Sequence, residues 1–167
     1  YCHISPAAFQ RVAALKVDAG KYQRPGDEEI KNRLSKEEYK VTQERGTEAP
    51  FTNKYDKTFE PGIYVDIVTG EPLFLSADKF DSGCGWPAFS KPIDPNVVVY
   101  QKDTSLLSER TEVSSRTGSS HLGHVFVVEG ISPTDVRFCI DSASLKFIPY
   151  ADMDKAGYGD YKAMVEK

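Results

Sequence analysis

The sequence predicts a mainly β domain of antiparallel sheets preceded by short helices. From about Tyr55 onward, short runs of β-branched and aromatic residues alternate with clusters of Gly, Pro, Ser and Asp. No helical pattern stands between successive runs, which favours antiparallel over parallel pairing. The length of 167 residues matches the roughly 150 residues of one domain.

Two short helices are predicted before the strands. Asp27 is expected to cap a helix over Glu28–Leu34, which begins with acidic residues at the positive end of its dipole. Ser35 and Glu38 have the spacing of a capping box and predict a second helix through about Gln43.

The strands follow, and the chain ends in a predicted helix. This last helix, within Tyr150–Lys167, is interrupted by Gly157 and Gly159. The clearest strand runs are Gly62–Val68, Val97–Tyr100, Val125–Val128 and Arg137–Ile140.

Composition and charge exclude several classes of function. The net charge of −4 lacks the concentrated positive field that binds phosphate backbones, so we expect no nucleic-acid partner. No apolar run approaches the roughly 20 residues that span a bilayer, and we expect no membrane contact from this segment. Three cysteines and three histidines are too few for a four-thiolate zinc site or an all-histidine site without the terminal His3, so neither metal nor cofactor is expected.

The first candidate cluster is the loop Asp81–Pro87. Glycines on both sides of Cys84 permit backbone angles that would present its thiol to solvent or substrate. A structural turn around a buried Cys explains the same residues, and Trp86 is either a core anchor or part of a pocket.

The second cluster holds two of the three histidines. His121 and His124 lie three residues apart around Gly123, at the start of a predicted strand. Buried imidazoles need hydrogen-bond partners, and exposed ones have no reason to cluster. The pair therefore indicates a polar site.

The third cluster is the strand that carries Cys139. Alternation directs Phe138 and Ile140 to the core and places Arg137, Cys139 and Asp141 on the other face. Arg137 favours the thiolate of Cys139 and Asp141 opposes it, so the net shift of its pKa stays open. A Cys on a polar face indicates a reactive thiol.

The strings GCGWPAF, SHLGHVF and RFCIDSASLKF resemble the signature segments of the type B methionine sulfoxide reductases, which reduce the R epimer of methionine sulfoxide. The resemblance runs from about Gly26 to Gly159. It implies two twisted antiparallel sheets, a β-tent-like fold, with N-terminal helices.

The resemblance also implies a role for each matched residue. Cys139 corresponds to the nucleophile and Cys84 to the recycling cysteine, through a Cys139 sulfenic acid and a disulfide that thioredoxin reduces. Trp86 corresponds to the aromatic residue that holds the methyl group of methionine sulfoxide. The remaining matched residues are His124 near the sulfoxide oxygen, its companion His121, and Phe126 and Arg137 at the substrate.

Two departures from the family pattern concern the site. The positions of two CxxC zinc motifs hold Asp66, Thr69, Ser115 and Gly118, which resembles the zinc-free branch. Asp141 replaces the usual Asn. We expect an acceptor-only anion there to raise the pKa of the nucleophile and to slow the free enzyme or raise its pH optimum.

A third departure concerns the start of the chain. Tyr1–Ile4 resembles the end of a type A reductase, the enzyme for the S epimer, which is fused to type B in some bacterial proteins. Residues 1–26 are then an inter-domain linker with some helix, and residues 27–167 the type B domain, with Cys2 a relic or an incidental thiol. The cytoplasm is the expected compartment, or an extracytoplasmic one if an upstream segment carries a signal or anchor.

Two rival functions use the same residues. A cysteine hydrolase would need Cys139 and a histidine but not Cys84. A noncatalytic β module would use the Cys84 loop and the histidine pair to line a ligand cleft. Free methionine sulfoxide and oxidised protein both remain open as substrates.

Overall fold

The computed structural model describes residues 17–104 and 109–166, and within them the chain is mainly β, as predicted. Two antiparallel sheets are present, with three and six strands. The strands are β1 (Gly62–Asp66), β2 (Pro72–Leu75), β3 (Lys79–Phe80), β4 (Ala88–Phe89), β5 (Val98–Asp103), β6 (Arg110–Ser115), β7 (His121–Val127), β8 (Val136–Ile140) and β9 (Leu145–Pro149).

The small sheet has the order β2-β1-β9 and the large sheet the order β3-β4-β8-β7-β6-β5. Strands β2, β3, β4, β6 and β9 are additions to the four predicted runs. β7 begins at His121, four residues earlier than predicted, so both site histidines lie on a strand.

The two predicted N-terminal helices are α1 (Asp27–Arg33) and α2 (Lys36–Glu44). The predicted Asp27 cap is wrong: Gly26 holds the extended backbone of the cap position, and Asp27 is the first helical residue. The capping box of α2 is confirmed, because Glu38 N donates to Ser35 Oγ at 3.1 Å and Ser35 N donates to Glu38 Oε1 at 2.9 Å.

The predicted C-terminal helix is broken into short turns. These include α3 (Met153–Ala156) and α4 (Lys162–Val165), and they are separated at Gly157, which takes a left-handed φ of 92°. No helix in the described ranges is long and apolar enough to cross a membrane.

The core lies between the two sheets and is rich in aromatic rings. Phe74 of β2 stacks on Phe89 of β4 with ring centroids 4.4 Å apart, and it also contacts Phe138 of β8. Phe138 and Ile140 are buried, as strand alternation predicts. Cys139 between them therefore faces away from this core.

Part of the predicted linker packs on the domain. Val17 is buried; its N–H donates to Asp94 Oδ2 at 3.2 Å, and its carbonyl accepts from Arg116 Nη2 at 3.0 Å. Arg24 donates to the carbonyl of Gly118. The predictions for residues 1–16, which include Cys2, lie outside the described residues.

A hydrogen-bonded cluster of carboxylate, hydroxyl and backbone groups connects the positions that resemble zinc motifs. Oδ1 of the buried Asp66 accepts from Val68 N and Ser120 Oγ, each at 2.9 Å. Ser120 N donates to Ser115 Oγ at 3.0 Å. A Cβ at Gly118 would lie 2.5 Å from Asp66 Oδ2, so a larger residue does not fit there without movement. Across the described ranges, no three His, Cys, Asp or Glu side chains are arranged to hold a metal.

Candidate active site

A cavity of about 350 Å³ opens beside β7 and β8. Seven of the eight predicted site residues line it: Cys84, Trp86, His124, Phe126, Arg137, Cys139 and Asp141. The eighth, His121, is 4% exposed and contacts His124, with ring centroids 5.7 Å apart. A larger cavity of about 430 Å³ elsewhere has no cysteine in its lining.

The two cysteines meet in this cavity. Cys84 Sγ lies 2.9 Å from Cys139 Sγ, and both residues are free thiols of intermediate exposure. The loop that carries Cys84 turns through left-handed conformations at Gly83 (φ 74°) and Gly85 (φ 93°), which favour glycine. The loop therefore presents the Cys84 thiol rather than burying it.

Strand pairing places His124 next to Cys139. The two residues are opposite partners in the β7–β8 register, so their side chains lie on the same face of the sheet. Pairing is close here, because a Cβ at Gly123 would lie only 2.0 Å from the carbonyl oxygen of Cys139. Gly123 thus permits the two strands to approach at the thiol.

The thiol pair titrates as a unit. The hydrogen bond between the sulfurs lowers the pKa of Cys84 to about 6 and raises the pKa of Cys139. The positive charge of Arg137 lowers the pKa of both thiols. One proton is therefore shared between two sulfurs near neutral pH, and the charge belongs to the pair.

Each histidine has a buried carboxylate partner. His124 Nε2 lies 2.8 Å from Asp103 Oδ2, and His121 Nδ1 lies 2.6 Å from Glu112 Oε2. Asp103 and Glu112 are 5% and 3% exposed. Burial lowers the pKa of His121, while the hydrogen bond that His121 donates to the Glu112 carboxylate opposes that effect.

Glu48 connects the Trp86 indole to the end of β8, the strand that carries Cys139. Trp86 Nε1 donates to the Glu48 carbonyl at 3.2 Å. The Glu48 carboxylate accepts the backbone N–H groups of Ser142 at 2.6 Å and Ala143 at 2.7 Å, just after β8. Burial raises the pKa of this carboxyl.

A cation over an aromatic ring forms another part of the cavity wall. The guanidinium carbon of Arg137 lies 4.8 Å from the ring centre of Phe126. The two side chains come from paired positions of β7 and β8. Together with Trp86 they give the cavity apolar surfaces that suit a thioether side chain.

The protonation state of Asp141 differs from the prediction that its side chain is an anion. Asp141 is 5% exposed, with Oδ2 3.8 Å from His121 Nε2 and Oδ1 accepting from Glu48 N at 3.4 Å. Burial raises its pKa to about 8. Near neutral pH the side chain is therefore largely a neutral acid, which can donate a hydrogen bond as an amide does.

The sequence analysis did not predict the residues that support the cavity-lining side chains from behind. Asp103 and Glu112 lie on strands β5 and β6, and Glu48 lies in the loop after α2. Nothing local marks them, since acidic residues on strands or loops are commonly solvent-exposed. The need of buried imidazoles for partners predicts that carboxylates of this kind exist but does not identify them.

Comparison with protein families gives one match. The model of the SelR domain family matches residues 34–149 of this chain. The matched part extends from the end of α1 to the end of β9 and includes every residue that lines the 350 Å³ cavity.

Proposed function

The chain belongs to the SelR domain family of methionine-R-sulfoxide reductases, and from this premise we propose how the cavity carries out the reduction. Cys139 is the nucleophile, Cys84 is the recycling cysteine, and His124 supplies the proton. The observation that carries the proposal is the contact of 2.9 Å between the two sulfurs, on the same face as His124.

In the first step Cys139 attacks the sulfoxide. The sulfur of a sulfoxide carries partial positive charge, whereas its oxygen is a poor leaving group until it is protonated. His124 provides that proton, and the proton shared by the thiol pair moves to Cys84 as Cys139 attacks as the thiolate. The oxygen is transferred to Cys139, so that methionine leaves and Cys139 becomes a sulfenic acid.

In the second step Cys84 attacks the Cys139 sulfenic acid. The S–O bond breaks, a disulfide forms, and the hydroxyl leaves as water with the thiol proton. The sulfurs need to approach by only about 1 Å, because an S–S bond is about 2.05 Å long. The glycines around Cys84 provide the freedom for this movement.

A thioredoxin-like dithiol completes the cycle. It attacks the Cys84–Cys139 disulfide, gives up two electrons and two protons, and leaves with its own disulfide while both thiols are restored. The intermediate exposure of both cysteines at the cavity supports access for this external reductant.

Substrate binding uses the apolar surfaces of the same cavity. Trp86 holds the terminal methyl group, and Phe126 with Arg137 forms another part of the cavity wall. His121 acts from behind the cavity, since it contacts His124, whereas Asp141 lines the cavity and lies within 3.8 Å of His121. A carboxylic acid at Asp141 can donate to the sulfoxide oxygen below pH 8.

The test is a single turnover without recycling reductant. The reduced protein is mixed with the R and S sulfoxides of blocked methionine, and methionine formed and thiols lost are counted. We expect methionine from the R epimer only, with two thiols lost for each methionine. Methionine formed without loss of the second thiol would contradict the role of Cys84.

Two variants separate the roles of the cysteines. Cys84→Ser should release about one methionine per molecule and stop with Cys139 as the sulfenic acid. Cys139→Ser should release none. A hydrolase would instead keep its activity in Cys84→Ser with multiple turnovers and cleave an ester or amide, and a binding module would show no methionine at all.

A further inference from the structure

Arg45 lies just outside the candidate active site, immediately after α2. It closes the helix in a left-handed conformation, with φ 56° and ψ 35°. Its side chain extends from the helix end to the carboxylates of β5 and β6, at Asp103 and Glu112. These are the two carboxylates that contact the site histidines.

The contacts of Arg45 join both carboxylates. Its Nε donates to Glu112 Oε2 at 2.8 Å, and its Nη2 forms an ion pair with Asp103 Oδ1 at 3.8 Å. The path therefore runs from His121 through Glu112, Arg45 and Asp103 to His124. The guanidinium fork suits this arrangement, because its donors point in fixed directions within one plane.

The charges explain why a cation is needed here. Two carboxylates that are each about 95% buried lose hydration and repel one another unless a cation compensates them. Arg110 contacts Asp103, with Nη2 3.2 Å from Oδ2, but Arg45 is the cation that contacts both carboxylates within the described residues. The Arg45 side chain itself is 54% exposed, so its own dehydration is limited.

We propose that Arg45 is a positioning residue of the reductase: it anchors Asp103 and Glu112, and through them it holds His124 in place opposite Cys139. This inference rests on the proposed role of His124 as the proton donor. Arg45 does not line the cavity that holds the cysteines, so its effect on the reaction passes through the histidines.

The groups that face the histidines determine the expected signature. His121 is surrounded by Glu112, Asp141, His124 and the charge of Arg45. Arg45 lowers the proton affinity of His121. Its removal should therefore tighten proton binding to His121.

Three variants test the proposal in a Cys84→Ser background, where one methionine is released per molecule. Arg45→Gly removes the side chain and favours the left-handed backbone, so that the fold is preserved. Arg45→Met keeps the length of the side chain but not its charge, and Arg45→Lys keeps the charge without the fork. Arg33→Met is the matched control, an exposed arginine at the end of α1.

The rate of methionine formation and the titration of the histidines by NMR are measured together. We expect Arg45→Gly and Arg45→Met to slow methionine formation about tenfold, a fraction of the 10²- to 10⁴-fold that a general acid contributes. Both should tighten proton binding to His121. Arg45→Lys should recover part of the rate, and Arg33→Met should match the parent in both measurements.

The same substitutions in a His124→Gln background decide how Arg45 acts. If it acts through His124, Arg45→Gly causes no further loss there. An equal loss in both backgrounds would show a merely structural role, and a native rate in Arg45→Gly would overturn the proposal outright. A native rate in His124→Gln alone would instead refute the proposed proton donor, so the two failures are distinct.

Discussion

Cys84 Sγ and Cys139 Sγ lie 2.9 Å apart although 55 positions separate the two residues in the chain. The fold achieves this by directing a glycine-flanked loop onto the centre of the large sheet, where β8 lies between β4 and β7. The contact makes the two thiols one acid–base unit, which has direct consequences for their titration.

Replacement of Cys139 should restore an ordinary thiol at Cys84. In Cys139→Ala the hydrogen bond that lowers the pKa of Cys84 is gone, so this pKa should rise from about 6 towards the usual value of about 8.5. Thiolate absorbance near 240 nm and the rate of alkylation against pH measure it. Cys84→Ala is the complementary variant and should lower the pKa of Cys139. An unchanged pKa of Cys84 in Cys139→Ala would show that the sulfurs are not hydrogen-bonded in solution.

Asp141→Asn should weaken the alkaline limb of the pH profile. Burial raises the pKa of Asp141 to about 8, so the neutral acid is present below that pH and is lost above it. The anion raises the pKa of Cys139 and opposes the thiolate that must attack. Single-turnover rates of the native chain should therefore rise through about pH 6, with the thiol pair, and fall above about pH 8.

The side chain of the Asp141→Asn variant is an amide at all pH values, so the variant should keep a larger fraction of its rate above pH 8 than the native chain does. Its rising limb near pH 6 should remain, because that limb belongs to the thiol pair. Superimposable profiles for the native and Asn chains would mean that Asp141 does not influence the reaction.

The positions that correspond to zinc ligands should behave as a hydrogen-bonded cluster. Ser120→Ala removes the donor to Asp66 Oδ1, and a buried carboxylate that loses a partner costs about 1–3 kcal/mol of unfolding free energy. Urea unfolding measures this loss. Ser114→Ala, on the neighbouring strand, is the control, since its hydroxyl makes none of the hydrogen bonds found in the described ranges. A chelator should leave the melting temperature of the native chain unchanged; a drop would indicate a bound metal.

The face of Cys139 followed from strand alternation alone, because Phe138 and Ile140 are apolar and their neighbours are not. The carboxylates behind the histidines could not be predicted in this way. Glu112 faces His124 only through the β6–β7 register, which contains an irregularity between Val113 and Ser114. This register shift changes which side chains lie on the same face of the sheet, and no local sequence pattern predicts it.

The charge of Asp141 shows a second limit of sequence reasoning. An aspartate is expected to be an anion near neutral pH, whereas burial beside Glu48 raises the pKa of the Asp141 carboxyl. Burial of a polar residue at the end of a strand depends on what the distant loop at Glu48 places over it. That contact spans 93 positions and leaves no signal in the local sequence.

Glu48→Gln should loosen both the Trp86 indole and the end of β8, the strand that carries Cys139. The carboxylate offers an oxygen to each of two backbone N–H groups, at Ser142 and Ala143, whereas an amide turns an N–H₂ group towards one of them. We expect a loss of about 1–3 kcal/mol in the free energy of unfolding. Trp86 is the only tryptophan of the chain, so its fluorescence reports this site directly.

The Trp86 emission should shift to longer wavelength in Glu48→Gln, because the carbonyl that accepts its N–H moves with the loop. KM for the R sulfoxide should rise more than kcat falls, since in the proposed mechanism the indole binds the methyl group and takes no part in proton transfer. Glu129→Gln, in an exposed turn, is the matched control and should change none of these values. If folded Glu48→Gln has a native emission spectrum and a native KM, Trp86 holds its position without the hydrogen bond to Glu48. The Cys84 loop alone would then position the indole.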